Sequence, residues 1–347
     1  MSVAVRSPPT DLVGWARLQG IDAFVPAGPI ASADIPSDHP FDVSPAVDFG
    51  RTEIRVPSLV LRPRSVDELR RILDRAVATQ TPLITRGGGH SAGGQSLTWG
   101  VQVDLKRLAG AELSGPHVRA QGGCRWKSVI RACAPEGRRP AVLIGSQEPT
   151  VGGTLSVGGF GDRTPQAGLQ IEQVEAMTVA TLGGELHRVG PGDALFDYVL
   201  AGRGQLGVIV EVDFRTCPLP EVMDVRALHF PSLGSFLSTA DGLLDTPLWD
   251  GMPAWWDITT GSVEALAGRA ARAWEPSRVD VPAGGELHAA EEVERIPVLA
   301  ALELDDRVGR AFASPCLEVV AALPDAQRLF RRLSAELLEM GLAPFLE

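Results

Sequence analysis

Ten residues in the first third of the chain read Arg86-Gly87-Gly88-Gly89-His90-Ser91-Ala92-Gly93-Gly94-Gln95. A short strand is predicted directly before them, from Pro82 to Thr85, and alternating apolar residues predict another from Val101 to Leu105. Glycine lets backbone N–H groups approach an anion with no Cβ in the way, and successive N–H groups can form a nest for pyrophosphate. The stretch is therefore a candidate phosphate-binding loop, and tight turns are the alternative use of its glycines.

Two more glycine-rich stretches follow, at residues 149–161 and 201–207, each leaving or entering a predicted strand. Three such loops favour a long, phosphate-bearing ligand over three unrelated turns. A Rossmann fingerprint does not fit, because Gly93-Gly94 would break the first turn of its helix. Its acidic residue, expected about 20 positions later, is also missing, since Asp104 comes too early and Glu112 too late. A Walker loop is excluded because no Gly-Lys-Ser/Thr sequence occurs.

His90 stands among five glycines, so nothing beside it in the sequence has the bulk to bury it as a core residue. Its candidate roles are general base, metal ligand and covalent attachment point, and a surface histidine that caps the loop is the alternative. Metal ligation lacks partners, because the other histidines show no ligand spacing and the cysteines form no C-x-x-C pair. The sequence therefore predicts no metal site.

Composition limits the partners. The chain has 43 acidic and 32 basic side chains and a net charge of −11, with no basic stripe, so we expect no nucleic-acid partner. Residues 1–30 lack a basic-then-apolar leader, and no apolar run has membrane-spanning length. We therefore expect a cytoplasmic protein that acts on a small molecule and does not bind a membrane.

Composition also divides the chain into a proline-rich N-terminal arm (residues 1–50), a central domain (51–217) and a C-terminal domain (218–347). In the central domain, Ser65 three positions before Glu68 predicts a capping box and a helix with one apolar stripe. A strand is predicted at Ala141–Ile144. The C-terminal domain is predicted to contain two helices and two strands, at Val263–Trp274, Ala326–Met340, Val225–Phe230 and Cys316–Val320.

The order of these motifs resembles the FAD-binding domain of the vanillyl-alcohol-oxidase and p-cresol-methylhydroxylase type, most of all that of the cytokinin dehydrogenases. The resemblance covers about residues 48–216. It is carried by the first loop and by Thr150-Val-Gly-Gly-Thr-Leu-Ser156-x-Gly-Gly, Gly168-x-Gln170-x-x-x-Val174 and Gly202-x-Gly204-Gln205-x-Gly207-Val-Ile209. It implies an α+β fold, in which an FAD-binding domain of two α/β subdomains is followed by a shortened α+β substrate cap with an antiparallel sheet.

The resemblance also implies the cofactor and its contacts. FAD is the expected cofactor, and His90 matches the position that bonds covalently to the flavin 8α-methyl carbon. The second loop has no cysteine for a second bond, so the attachment is expected to be single. The positions that match pyrophosphate and ribityl contacts are Thr85, Gly87, Gly88, Gly89, Ser91 and Gln95. Those that match later flavin and adenosine contacts are Thr150, Ser156, Phe160 and Ile209.

Two departures from the family pattern limit the expected activity. Gly145 stands where cytokinin dehydrogenases carry an aspartate that takes a proton from the substrate amine. Glu148 is the nearest carboxylate and the candidate catalytic base, and a solvated loop glutamate is the alternative. The sequence also stops at Glu347, where relatives return to the FAD domain. We therefore expect a homodimer in which a second copy completes the flavin pocket.

Three functions follow as hypotheses. The first is an FAD-dependent oxidoreductase that oxidises a small organic, natural-product-like substrate by hydride transfer to flavin N5. The second is an enzyme that uses FAD as a scaffold for a non-redox cyclisation or elimination in secondary-metabolite biosynthesis, which Gly145 and the short cap favour. The third is a non-catalytic flavin-binding subunit.

Overall fold

The computed structural model describes residues 9–26, 44–50, 53–161, 163–245, 254–256, 260–272, 276–277, 279–280, 288–289 and 294–297. The chain divides into two compact units, Met1–Pro218 and Leu219–Glu347. Helices are combined with mostly antiparallel sheets, so the fold is α+β. The elements predicted at Ala326–Met340 and Cys316–Val320 lie outside the described residues.

The first sheet of the N-terminal unit has four strands. They are β1 (Asp22–Phe24), β2 (Leu59–Arg62), β3 (Leu83–Arg86) and β4 (Val101–Asp104). Their order is β1-β2-β4-β3, with β2 and β3 parallel to β4 and β1 antiparallel to β2. Because β3 and β4 are parallel and Arg86 pairs with Asp104, the glycine loop that follows β3 leaves the sheet at the carboxyl end of β4.

Two helices accompany this sheet. Helix α1 (Thr10–Leu18) precedes β1 in the sequence, and α2 (Val66–Ala78) lies between β2 and β3. The predicted Ser65 N-cap of α2 is confirmed, because the Ser65 hydroxyl accepts a hydrogen bond from the Glu68 N–H at 3.2 Å. The reciprocal half of the capping box differs: the Glu68 carboxylate accepts from the Arg64 N–H at 2.8 Å, one residue before the Ser65 N–H that the motif uses. The apolar stripe of α2 is buried as its spacing predicts, at Leu69, Ile72, Leu73 and Ala76.

The second sheet of the N-terminal unit is antiparallel and has six strands. They are β5 (Ala111–Ser114), β6 (His117–Gln121), β7 (Arg138–Pro140), β8 (Val174–Ala180), β9 (Leu186–Val189) and β10 (Val208–Pro218). The order is β5-β6-β10-β8-β9, and β7 pairs with the end of β10. The helices between these strands are α3 (Trp126–Cys133), α4 (Val151–Leu155), α5 (Thr164–Ala167) and α6 (Ala194–Val199).

The strand predicted at Ala141–Ile144 is not formed there; the observed strand is β7, which begins three residues earlier, at Arg138. Arg138 holds β7 against β10, because its guanidinium donates to the Thr216 hydroxyl and carbonyl at 2.6 and 2.9 Å. Val142 and Leu143 are buried as their apolar character predicts, but outside a strand. The Val142 carbonyl instead accepts from the Gln170 side chain at 3.1 Å.

One hydrophobic core joins α1, α2, the first sheet and β10. Leu12 and Ala16 of α1 are buried in it, so described residues of the predicted arm pack into the N-terminal unit. The prolines do not prevent this, because Pro9 immediately precedes α1, where a missing N–H costs no helical hydrogen bond. Residues 44–50 are also largely buried.

The third sheet belongs to the C-terminal unit and corrects one prediction. Its strands are β11 (Val222–Phe230), β12 (Ala254–Trp256), β13 (Val263–Ala271), β14 (His288–Ala289) and β15 (Glu294–Pro297), and one helix is described, α7 (Leu233–Asp245). The helix predicted over Val263–Trp274 is wrong, because residues 263–271 pair antiparallel with β11 over nine positions. Val263 and Ala265 are buried and Glu264 is exposed, the two-residue period of a strand.

Candidate functional site

The first glycine loop, residues 86–96 (loop 1), is held at its base by Arg86. The buried guanidinium donates to the carbonyls of Ser44 and Val47 at 3.1 and 2.9 Å, and to the Ser96 hydroxyl at 3.1 Å. Burial lowers the pKa of Arg86 to about 10, against the opposing effect of the Asp104 and Asp48 carboxylates. Arg86 remains charged at neutral pH and ties loop 1 to residues 44–47.

Asp48 and Phe49 hold the middle of loop 1. The fully buried Asp48 carboxylate accepts from the Gly94 N–H at 3.2 Å and from the Glu53 N–H at 3.1 Å. The Phe49 N–H donates to the Ser91 carbonyl at 3.0 Å, and its ring stacks on the His90 imidazole with centroids 4.9 Å apart. Sequence analysis missed both residues. The available signal was an acidic and an aromatic side chain side by side in a proline-rich segment.

Replacing Asp48 by alanine should loosen loop 1. Two backbone N–H groups, those of Gly94 and Glu53, would lose a charged acceptor. Because hydrogen bonds to charged groups contribute about 1.5–3 kcal/mol each, we expect the free energy of unfolding to fall by about 3–6 kcal/mol. Urea unfolding of Asp48→Ala, with Asp67→Ala on the exposed face of α2 as the control, measures the difference. A loss no larger than that of the control would contradict this role.

His90 is partly buried and neutral at pH 7. Burial, then the Arg125 and Arg86 cations, lower the pKa of His90 to about 4, and a hydrogen bond to the Gly88 backbone opposes the shift. Because the pKa is lowered, the imidazole is protonated only below about pH 4. A neutral imidazole has a free electron pair, so His90 can act as a nucleophile or base but not as a cation.

The glycines at the start of loop 1 allow close contact with residues 145–161 (loop 2), a segment that includes the second glycine-rich stretch, residues 149–161. A Cβ at Gly87 would overlap the Thr150 hydroxyl oxygen, and one at Gly88 would lie 3.1 Å from the Glu148 carbonyl oxygen. Gly89 has a φ of +78°, and a Cβ there would overlap the Arg86 guanidinium. The packing of loop 1 therefore requires glycine at Gly87 and Gly89, and it leaves little room for a Cβ at Gly88.

Glu148 is not the solvated loop glutamate that was the alternative to a catalytic base. Its side chain is 1% exposed, and its carboxylate accepts from the Arg125 guanidinium and the Lys127 ammonium. The backbone sets this arrangement: the Trp126 N–H donates to the Pro149 carbonyl at 3.2 Å, and the Lys127 N–H to the Gln147 carbonyl at 3.0 Å. Both cations come from the start of α3, which sequence analysis did not connect with the site.

Thr150, at the start of α4, has a buried hydroxyl that is 1% exposed and has no hydrogen-bond partner among the described residues. Nearly all buried polar groups in proteins are paired, so this oxygen is a candidate ligand contact. Ser156 differs, because its hydroxyl donates to the Gly152 carbonyl at 2.6 Å. Phe160 is 48% exposed, whereas Ile209 is buried in β10.

The remaining predicted contacts lie on loop 1 and β3. Thr85 is partly buried in β3. The Ser91 and Ser96 hydroxyl oxygens are 2.8 Å apart and hydrogen bonded. Gln95 is exposed, and its side-chain oxygen accepts from the Gly93 N–H at 2.9 Å. Loop 1 thus presents hydroxyl and N–H groups with few side chains beside them.

The third glycine loop, residues 201–207 (loop 3), contacts loop 2. The N–H groups of Ala201 and Arg203 donate to the carbonyls of Leu155 and Ser156, both at 2.8 Å. Ala201 and Arg203 also have positive φ values, +57° and +55°, which non-glycine residues rarely adopt. The N–H bonds to loop 2 hold loop 3 in this conformation. Loop 2 therefore contacts both of the other loops.

The described part of the chain contains no cluster of three or more His, Cys, Asp or Glu side chains that could bind a metal ion. Within those residues, no helix has both the length and the apolar character needed to cross a bilayer. Gly145 has open space around the position of a Cβ.

Comparisons with known proteins agree with this arrangement. Residues 57–190 match the family model for the FAD binding domain. The chain is 34% identical over 211 residues to an uncharacterized oxidoreductase, ORF5 of the fasciation locus of Rhodococcoides fascians, covering 60% of this chain and 48% of that protein. It is 30% identical over 284 residues to cytokinin dehydrogenase 1 of Oryza sativa subsp. japonica, covering 78% and 52%.

Cytokinin dehydrogenase 7 of the same plant is 32% identical over 210 residues, covering 57% of this chain and 40% of the plant protein. The chain thus spans about half the length of the relatives it matches. The matched region contains loop 1, loop 2 and the Arg125–Glu148–Lys127 cluster. Residues 57–190 therefore carry the sequence pattern of the FAD binding domain family.

Proposed function

We propose that this protein is an FAD-dependent oxidoreductase that bonds its flavin covalently to His90 and oxidises a small organic molecule. One observation carries the proposal: His90 is a neutral imidazole, stacked on Phe49, in a glycine loop that rests on Thr150. Relatives named as an oxidoreductase and as cytokinin dehydrogenases support the reaction class. Residues 51–217 would bind FAD in two α/β subdomains, and residues 218–347 would form the shortened substrate cap.

The residues present fit FAD. The Thr150 hydroxyl is buried without a partner among the described residues, and Gly87 of the glycine-rich loop 1 lies directly against it. The chain as a whole is acidic, with a net charge of −11, and the cations near loop 1 already have acidic partners: Arg125 and Lys127 bind Glu148, and Arg86 is influenced by Asp104 and Asp48. Backbone N–H groups of a glycine-rich loop and hydroxyls are therefore the expected partners for a pyrophosphate.

The covalent link needs the neutral form of His90. A C–N bond would replace one C–H bond of the flavin 8α-methyl group and the N–H bond of the imidazole. Two electrons and two protons would pass to an acceptor such as dioxygen, which becomes hydrogen peroxide. Because the pKa of His90 is about 4, nearly all of the imidazole is unprotonated at neutral pH. Phe49 orients the ring by stacking on it.

When bound, FAD supplies an acceptor, N5, for a hydride from the substrate. Glu148 has the only carboxylate in loop 2, residues 145–161, and is the candidate base. Its oxygens already accept from Arg125 and Lys127, so taking a substrate proton would require one of these contacts to break. Gly145 can do no acid–base work.

Gly145 favours a second candidate function, a non-redox cyclisation or elimination for which FAD serves as a scaffold. The substrate proton would then have no acceptor at the position where the cytokinin dehydrogenases carry an aspartate. Gly145→Asp allows a direct comparison, because a Cβ at Gly145 would lie in open space. A substrate that reduces the flavin only in Gly145→Asp would support the second candidate for the natural chain.

The experiment that tests the proposed function is spectroscopic. Purified full-length protein should be yellow, and acid precipitation should leave the colour in the pellet. Flavin photoreduced without oxygen should recover its oxidised spectrum when air is admitted. A cytokinin is the first substrate probe, because the relatives are named for it. Bleaching by a substrate without oxygen supports the oxidoreductase, whereas product formed with an unchanged flavin spectrum overturns it in favour of the scaffold function.

A further inference from the structure

A buried ion cluster lies beside the covalent attachment point. Glu148 is 1% exposed, and Arg125 and Lys127 both bind its carboxylate. A carboxylate removed from water is stable only when paired and hydrogen bonded, so these contacts fix all three side chains. The backbone keeps the same register, because Arg125 pairs with Thr150 in an antiparallel bridge and the Val151 N–H donates to the Cys124 carbonyl at 2.8 Å.

Gly88 connects this cluster to His90. A Cβ at Gly88 would lie 3.0 Å from the His90 Nδ1 and 3.1 Å from the Glu148 carbonyl oxygen. The imidazole and the Glu148 backbone therefore approach the same point of loop 1. The positive charge of the Arg125 guanidinium, which Glu148 binds, contributes to the lowered pKa of His90.

We propose that Glu148 is a positioning residue for the flavin link: its carboxylate holds the Arg125 guanidinium on the side of loop 1 where His90 lies. The inference rests on the proposed function, since it concerns the attachment step. It gives Glu148 a role other than that of catalytic base. Lys127 is the second anchor of the same carboxylate.

The charged groups around His90 explain why the position of Arg125 matters. Arg125 and Arg86 both disfavour a protonated imidazole. Arg125 is paired with Glu148, and Arg86 is influenced by Asp104 and Asp48. On the ring face of His90, Phe49 contributes no charge. If Arg125 moves away, the pKa of His90 rises from about 4 towards its ordinary value, and less neutral imidazole is present in acid.

The test is the pH profile of flavin attachment. Flavin-free full-length chain is incubated with FAD, and the covalently loaded fraction is followed by intact mass. For Glu148→Gln and for Arg125→Gln we expect the acid limb of the pH–rate profile for flavin attachment to move to higher pH. On that limb the attachment rates should be roughly threefold to tenfold lower than for the unchanged chain. On the alkaline side the imidazole is neutral in every variant, so the rates should differ much less.

The direction of the shift separates positioning from simple removal of charge. If Arg125 stayed in place without Glu148, the loss of a nearby negative charge would favour the neutral imidazole further, and the acid limb would stay or move to lower pH. That result overturns the proposal. Asp213→Asn is the matched control, because the Asp213 carboxylate also binds two arginines, Arg119 and Arg188, on the second sheet. Its profile should be unchanged.

Two further outcomes are decisive. If Glu148→Gln does not fold, the Arg125→Gln profile still decides, since an unmoved acid limb there means that Arg125 does not act on His90. If the unchanged chain acquires no covalent flavin, the proposed link fails, and the positioning role fails with it. A normal covalent flavin with unmoved profiles in both variants overturns the positioning role alone.

Discussion

Replacing His90 by alanine should abolish covalent flavin completely, because the variant has no imidazole nitrogen to form the C–N bond. Noncovalent FAD should still bind, since the other loop 1 contacts, those of Arg86, Asp48 and Phe49, use the backbone or groups outside the ring. The expected intact mass is that of the polypeptide alone. Yellow colour should move from the acid pellet to the supernatant.

His117→Ala is the matched control for this change. His117 lies on β6 of the same unit, where its ring contacts the Glu175 carboxylate at 2.8 Å. Its removal should leave the covalently bound fraction unchanged. A His90→Ala protein that retained its colour in the acid pellet would place the link on another residue and remove His90 from the mechanism.

Replacing Gly87 by alanine should have the second largest effect, because the new Cβ would overlap the Thr150 hydroxyl oxygen. Overpacking of this kind costs about 1–3 kcal/mol, and we expect the same amount to be lost from the free energy of unfolding. Loop 1 would have to separate from loop 2, so FAD should bind about tenfold more weakly or worse. Urea unfolding and flavin fluorescence titration measure the two effects.

Two further variants show whether the overlap is the cause. Gly14→Ala in α1 adds a Cβ into open space and should stabilise the protein by about 0.5–1 kcal/mol. Thr150→Ala combined with Gly87→Ala removes the overlapping oxygen and should restore part of the stability. Binding should not recover, because the Thr150 hydroxyl is itself a proposed contact. A Gly87→Ala protein as stable as the unchanged chain would contradict the loop packing described here.

Sequence patterns predicted the elements around loop 1 because those elements are specified locally. The Ser65 N-cap and the apolar stripe of α2 depend on residues three or four positions apart, which one helix brings together. Residues 263–271 show the opposite case. Their four alanines favour a helix, but nine pairings to β11 decide the strand, and β11 lies more than thirty residues earlier in the sequence.

The candidate site divides in the same way. The glycines and His90 could be recognised because they are consecutive, and the family model that matches residues 57–190 confirms the predicted FAD binding domain. The partners of loop 1 could not be recognised, because Asp48, Phe49 and Arg125 come from distant segments. Glu148 was singled out as a carboxylate, but its two cations depend on pairing between residues 124–127 and 147–151.

The central claim is that His90 carries the flavin. The most direct measurement is peptide mapping by mass spectrometry of the full-length protein, denatured in acid and digested before analysis. We predict that the peptide containing His90 carries one FAD with two hydrogens lost in forming the bond, and that its fragment ions place the flavin on the imidazole. An unmodified His90 peptide from protein that contained FAD before denaturation, or a flavin found on another residue, would contradict it.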